Sequence, residues 1–178
     1  MTLRQKTARR SFLQSAGSTA LLLPGLYASA SPARPSRSAL ENLNIACIGT
    51  ANRAAEDVSG VMSENIVAIV DIDSNYLGRC KSMLTEKKKL EPRTYADYRE
   101  MLTAEGDKID AVVIGTADHH HAPATVRALR RGLHVYCEKP LTHTVEEASL
   151  IAALTREKKV ATQMGTQNHE HPGYLRLV

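Results

Sequence analysis

The chain has 178 residues, of which 43% are apolar and 24% charged, and this composition is typical of a single globular domain and excludes an intrinsically disordered protein. The formal charge of +4 comes from the first 30 residues, because beyond them basic and acidic residues are equal in number. The lysine run at residues 87–89 therefore indicates a solvated helix end, and the charge pattern excludes a nucleic-acid-binding protein.

The first 30 residues resemble a twin-arginine export signal. Arg9 and Arg10 precede a weakly apolar stretch, and the Ala-Ser-Ala sequence at residues 28–30 fits a cleavage site. Residues 31–42, which begin rich in serine, proline and arginine, are predicted to form a linker. The apolar stretch is far shorter than the roughly 20 residues of a spanning helix. We expect a periplasmic protein without a stable membrane anchor; the alternative is a disordered basic leader that is not removed.

Short apolar runs alternate with longer amphipathic segments from Leu43 onward. This alternation is typical of a parallel sheet covered by helices. Near-continuous apolarity predicts strands that are buried on both faces, at residues 44–48, 66–70, 111–114, 133–137 and 160–164.

Capping signals between these runs predict helices. Asp97 precedes one predicted helix, and Thr144 with Glu147 forms a capping-box pattern at the start of another. Pro123 is tolerated in a first helical turn, and Gly132 follows the last turn of the same segment. The predicted helices span residues 98–102, 122–131 and 145–158.

The three cysteines, Cys47, Cys80 and Cys137, form no C-x-x-C pair and leave one residue unmatched. This pattern argues against a disulfide framework and a structural zinc site. Cys47 and Cys137 lie in apolar runs and are predicted to be buried as small hydrophobic residues.

The turn after the first strand is an incomplete G-x-G-x-x-G dinucleotide motif. It begins at Gly49 and continues through Thr50, Ala51, Asn52 and Arg53 to residue 54, with alanine instead of glycine at positions 51 and 54. The motif's glycines allow a tight turn, close approach to the pyrophosphate and close helix packing. We expect Ala51 to be forced into a left-handed turn, which would weaken dinucleotide binding. An ordinary strand-to-helix turn is the alternative.

Asp71 ends the second apolar run, 22 residues after Gly49. An acid at this place holds the adenosine ribose through its hydroxyl groups. With Asp73 close by, a 2′-phosphate would be repelled, so the sequence favours NAD over NADP. The alternative is a surface acid that caps the next helix.

Three segments carry a family resemblance: residues 110–114, residues 134–140 with their Glu-Lys-Pro sequence, and residues 163–167. Together they resemble the Gfo/Idh/MocA oxidoreductases. The resemblance implies a Rossmann-type, doubly wound parallel sheet over residues 43–168. Residues 169–178 would then begin the connection to a second, substrate-binding domain that is absent from this chain.

The resemblance also implies roles for individual residues. Lys139 would be catalytic and would lie beside the nicotinamide and the substrate hydroxyl, with Glu138 facing the cofactor and Pro140 shaping the turn. Thr116 would lie near the dinucleotide, and His121 would begin a helix in the same cofactor-binding region. A lysine at this place can stabilise a developing alkoxide.

Three successive histidines, at positions 119–121, raise the alternative of a metal site. Adjacent loop residues rarely converge on one ion without further ligands. We therefore predict no metal.

The resulting hypothesis is an NAD-dependent oxidoreductase that acts on a sugar or polyol. Its further catalytic residues would come from the second domain, so we expect this chain alone to bind the dinucleotide without useful turnover. The alternatives are a truncated, inactive dinucleotide-binding remnant and a structural partner that keeps only the fold. Assembly into a homo-oligomer is left open.

Overall fold

A computed structural model describes residues 41–167 of the chain. The predicted export signal and nearly all of the linker lie outside these residues, as does the segment from residue 168 onward. Within these residues, the six strands are β1 (Asn44–Ile48), β2 (Asn65–Val70), β3 (Arg93–Tyr95), β4 (Ala111–Ile114), β5 (His134–Glu138) and β6 (Thr162–Gly165). The five α-helices of the same part of the chain are α1 (Arg53–Gly60), α2 (Ser74–Lys88), α3 (Tyr98–Glu105), α4 (His121–Arg130) and α5 (Val145–Lys158).

The strands form one parallel sheet in the order β3-β2-β1-β4-β5-β6. The chain runs outward from β1 through β2 to β3, returns to β4 beside β1, and continues to the other edge. This is the doubly wound Rossmann arrangement. The reversal of direction between β1 and β4 creates the crevice in which such sheets bind ligands.

Successive side chains of the central strands pack alternately into two apolar cores, one on each face of the sheet. In β1, Ile45 and Cys47 pack with Val58 of α1 and Leu84 of α2. The opposite face, which includes Ile48, packs with helices α3, α4 and α5. Because both faces of the central strands are covered, these strands are continuously apolar, as the sequence predicted.

The helix ends follow the predicted capping signals. Asp97 and Thr144 are the N-caps of α3 and α5, and Thr144 forms the complete capping box with Glu147. Gly132 follows α4 with a φ of 72°. This left-handed conformation is the one that glycine adopts most easily after a helix. All three cysteines are buried and free.

Two strands differ from the prediction. β3 was missed because it has three residues and no apolar run. It forms by backbone pairing with β2 at the edge of the sheet. β6 was predicted to be buried on both faces, yet Thr162, Gln163 and Met164 are exposed. As an edge strand, β6 pairs only with β5 in the described part of the chain.

Among the helices of residues 41–167, none is both long and apolar enough to cross a membrane.

Candidate functional site

Most of the predicted site residues lie at the carboxyl edge of the sheet. The Gly49 turn follows β1, Asp71 follows β2, and Lys139 follows β5. Thr116 comes two residues after β4. Since all strands are parallel, these ends meet at one edge, on both sides of the β1–β4 crevice.

Gly49 makes the tight turn that the motif requires. Its φ is +98°, and a Cβ atom there would lie 2.8 Å from the carbonyl carbon and oxygen of Gly115. Its amide N–H donates to the carbonyl of Val70 at 2.8 Å. Both the backbone conformation and the space therefore require glycine at position 49.

Close packing of α1 on the sheet comes from the facing strand rather than from the helix. A Cβ atom on Gly115 would lie 2.7 Å from the Cβ of Ala54 and 2.9 Å from its Cα. The space usually left by the motif's third glycine is left here by Gly115, after β4. Ala54 therefore fits without strain and is itself buried.

The expectation that Ala51 occupies a left-handed conformation was wrong. The non-glycine residue with positive φ in this turn is Asn52, with φ 51° and ψ −121°. The turn shifts the unusual conformation one residue toward the helix. This conformation lies outside the left-handed helical region that asparagine tolerates, and it favours glycine, so the expected backbone penalty falls on Asn52 and not on Ala51.

Asp71 holds the turn from the end of β2. Its Oδ2 accepts hydrogen bonds from the Thr50 amide at 2.9 Å and from the Thr50 hydroxyl at 2.7 Å. Its Oδ1 accepts from the Asp73 amide at 3.0 Å. Asp73, not Asp71, caps α2, so the alternative interpretation of Asp71 as that helix cap was wrong. Between the two acids, Ile72 is 93% exposed.

Arg53 faces acidic side chains. Its guanidinium pairs with Glu56, with Asp57 Oδ1 at 3.2 Å and with Glu138 Oε1 at 3.3 Å. The Arg53 side chain is 43% exposed, whereas those of Asp57 and Glu138 are 4% and 5% exposed. Arg53 thus connects the first turn of α1 to the end of β5, where Lys139 follows.

Glu138 points into a buried polar network. Its Oε1 also accepts from the Tyr136 hydroxyl at 3.0 Å and from the Gln167 amide, which in turn donates to Tyr136. A Cβ atom on Gly165 would lie within 2.7 Å of all three of these polar groups. Gly165 therefore leaves the space in which this network forms.

His121 connects two loops of the site through its buried imidazole ring. It is 1% exposed, with Nε2 2.9 Å from the Thr116 carbonyl and Nδ1 2.7 Å from the Pro140 carbonyl. A carbonyl accepts only from a protonated nitrogen, so the neutral ring bonds one of them and the charged ring bonds both. Direct contact between His121 and a ligand would require these bonds to break.

Lys139 is exposed and precedes Pro140 through a cis peptide bond. Within residues 41–167 it pairs with no acidic side chain.

The three successive histidines do not all face the same way. The His119 and His120 rings contact each other, with centroids 4.6 Å apart. His121 faces the interior, so the three histidines do not converge.

Asp57 is a buried residue that the sequence reasoning missed. Burial, followed by the charge of Glu138, raises the pKa of Asp57 to about 6, while Arg53 acts in the opposite direction. Burial is also the largest cause of the raised pKa of Tyr136. The spacing of Arg53 and Asp57, four residues apart on a predicted helix, is the sequence signal that would have identified this pair.

Comparison with known proteins decides the family. The model of an oxidoreductase family with an NAD-binding Rossmann fold, GFO_IDH_MocA, matches residues 43–166. The chain belongs to the Gfo/Idh/MocA oxidoreductase family. Inositol 2-dehydrogenase of Salmonella typhimurium is 33% identical over 127 residues, which are 70% of this chain and 35% of that protein.

Two further comparisons extend this result. An α-N-acetylgalactosaminidase of Shewanella oneidensis is 29% identical over 184 aligned positions, covering 90% of this chain and 40% of that protein. The crystal structure of myo-inositol 2-dehydrogenase from Lactobacillus plantarum superposes with a TM-score of 0.68 at 27% identity, covering 77% of this chain and 40% of that one. The chain thus spans well under half the length of these relatives and contains the family's Rossmann domain.

Proposed function

We propose that this domain binds NAD across the β1–β4 crevice and presents Lys139 to the hydroxyl of a sugar or polyol. The observation that carries the proposal is the convergence of the Gly49 turn, Asp71, Thr116 and Lys139 at one edge of the sheet. The names of the inositol dehydrogenase relatives support the substrate class.

The residues present fit a dinucleotide. Gly49 has no side chain, so its backbone packs against Gly115 and turns tightly into the start of α1, and a helix N-terminus suits a pyrophosphate. Asp71 can accept ribose hydroxyls with the lone pairs that Thr50 leaves free, and the exposed Ile72 offers an apolar surface to an adenine ring. The carboxylates of Asp71 and Asp73 favour NAD over the phosphorylated NADP.

Bound NAD would supply the hydride acceptor of the reaction. The Lys139 ammonium would donate to the substrate oxygen and stabilise its developing negative charge, while the hydroxyl proton would pass to a base of the second domain. His121 and Glu138 support this role from the interior, because each is bonded to the backbone or side chains that flank Lys139. Efficient turnover would also need a substrate-covering domain, since an exposed lysine is screened by water.

Titration of NADH fluorescence, followed by assays of NADH formation with polyols and sugars, tests this proposal. We expect the purified chain to bind NADH and to form product only when a second domain is supplied in trans. Lys139→Ala should abolish that turnover and leave NADH binding nearly intact, whereas Lys81→Ala, at an exposed position of α2, should change neither. Robust turnover by the chain alone would contradict the need for a second domain, and absence of NADH binding would contradict the function.

A second candidate function is cleavage of a glycoside. The observation that favours it is the match to the α-N-acetylgalactosaminidase, which covers more of this chain than the match to inositol 2-dehydrogenase. Release of 4-nitrophenol from an aryl N-acetylgalactosaminide without accumulation of NADH would support this candidate over net dehydrogenation.

We also propose export to the periplasm through the twin-arginine route. The paired arginines, the modest apolar stretch and the small-residue cleavage sequence support it. Changing Arg9 and Arg10 together to lysine should leave the protein in the cytoplasm with its leader attached. Normal processing of this double variant would contradict the proposal.

A further inference from the structure

Asp57 carries an oxygen atom that lacks a donor. The residue is 8% exposed, and its Oδ1 pairs with Arg53, but no donor among residues 41–167 reaches its Oδ2. A buried, ionised carboxylate oxygen without a hydrogen bond is strongly unfavourable. Neutralisation by a proton removes this penalty.

Glu138 shares the same guanidinium and accepts more hydrogen bonds than Asp57 does. Its Oε1 accepts from Arg53, Tyr136 and Gln167, whereas Arg53 is the sole donor found for Asp57 in the described structure. Two buried carboxylates beside one cation do not both ionise readily. The proton therefore belongs on Asp57.

The charge of this pair matters to an anionic ligand. With Asp57 neutral, Glu138 is the one buried acid that faces Arg53, since the third carboxylate, Glu56, is exposed to solvent. With Asp57 ionised, two buried carboxylates face this one cation, and they add negative charge beside the first turn of α1, where the proposed function places a pyrophosphate. An anion at this turn would then favour the protonated form of Asp57.

We propose that Asp57 is a further positioning residue of the dinucleotide site: it takes up a proton, shared with Glu138, when an anionic dinucleotide binds at the Gly49–Arg53 turn. The proton comes from solvent, and no covalent bond to the dinucleotide forms. In this state Asp57 and Glu138, both held by Arg53, fasten the turn to the end of β5 that carries Lys139. The inference rests on the proposed function for the identity of the anion.

The groups that face Asp57 leave it as the one that titrates near neutral pH. Arg53 faces it from α1, Cys47 from β1, and Tyr136 and Glu138 from β5. Burial raises the pKa of both the Cys47 thiol and the Tyr136 hydroxyl, so neither ionises near neutrality. The pKa of Asp57, raised to about 6, places its titration where dinucleotide binding can shift it.

Asp57→Asn tests the proton, because the amide resembles the neutral acid. Calorimetry of NADH binding at pH 7 in buffers of different ionisation enthalpy counts the protons taken up. We expect the wild type to take up a substantial fraction of one proton and Asp57→Asn to take up none. The wild-type dissociation constant should rise by at least about threefold from pH 5.5 to pH 7.5, and that of Asp57→Asn should stay constant.

Glu56→Gln is the matched control, since Glu56 also pairs with Arg53 but its side chain is 69% exposed; it should behave as the wild type does. Asp57→Ala should bind NADH more weakly than Asp57→Asn, because only the amide can donate to Glu138. Equal proton uptake by the wild type and Asp57→Asn would overturn the proposal, as would equal binding by the alanine and asparagine variants.

Urea unfolding of the free protein separates this proposal from the proposed function. The raised pKa means that the native state binds more protons than the unfolded state between about pH 4 and pH 6. Stability relative to Asp57→Asn should therefore be greatest at about pH 4 and be lost as the pH rises through 6. If the stabilities of the wild type and Asp57→Asn change with pH in parallel, the proposed shared proton is wrong. If the expected pH dependence is found but NADH does not bind, the dinucleotide function is wrong instead.

Discussion

Substitution of Gly115 by alanine should disturb both the fold and the proposed dinucleotide site. The added Cβ atom would lie 2.7 Å from the Cβ of Ala54, whereas carbon atoms pack best at about 3.5–4.0 Å. Relief of the overlap therefore needs a shift of α1 by about 1 Å. Overpacking on this scale costs about 1–3 kcal/mol of unfolding free energy, and we expect a loss near the middle of that range.

A double-mutant cycle with Ala54→Gly gives the sharper form of this prediction. Ala54→Gly alone should destabilise the protein by about 1 kcal/mol, because glycine is a poor helix former. In the Gly115→Ala background it removes the methyl group that clashes most closely but leaves the 2.9 Å approach to the Cα of residue 54, so the double variant should lose less stability than the sum of the two single losses. The two effects should thus be non-additive by about 1–2 kcal/mol.

Urea unfolding measures these free energies, and NADH titration should show weaker binding by Gly115→Ala, with partial recovery in the double variant. Gly60→Ala is the control, because Gly60 lies in the same helix and a Cβ atom there meets nothing within 4 Å. Additive effects of Gly115→Ala and Ala54→Gly would refute the packing argument. So would a Gly115→Ala variant as stable as the wild type.

The remaining predictions concern the Gly49 turn, Asp71 and one helix cap. Asn52→Gly should be more stable to urea than Asn52→Ala by at least about 1 kcal/mol, since the φ of 51° suits glycine; equal stabilities would contradict the observed turn. Asp71→Ala should weaken NAD binding and relax discrimination against NADP in competitive titrations. Thr50→Val is the control, because it removes one hydrogen bond to Asp71 but keeps the charge of Asp71, and it should preserve the discrimination. Thr144→Ala should lower the thermal midpoint through loss of about 1 kcal/mol of capping energy; an unchanged midpoint would contradict a stabilising cap.

The predictable part of the site consists of residues whose role follows from their place in a strand-turn-helix unit. Gly49 and Asp71 were identified because a buried strand ends directly before each of them, and a parallel sheet collects such ends at one edge. Thr116, Glu138, Lys139 and His121 were identified by resemblance. The contacts of Glu138 and His121, which point inward to protein groups, were not predictable from that resemblance.

Local sequence by itself determined the alternation of strands and helices, the N-caps Asp97 and Thr144 and the burial of the central strands, because hydrophobic periodicity and capping act over a few neighbouring residues. Only the tertiary structure decided which partners meet across the sheet. Gly115 leaves the space for Ala54, and Gly165 leaves the space for the network around Glu138. Asp57 is joined to Glu138 through Arg53, although 81 residues separate the two acids along the chain. Such contacts depend on strand order and on the approach of backbone segments that are distant in sequence, so no local sequence pattern predicts them.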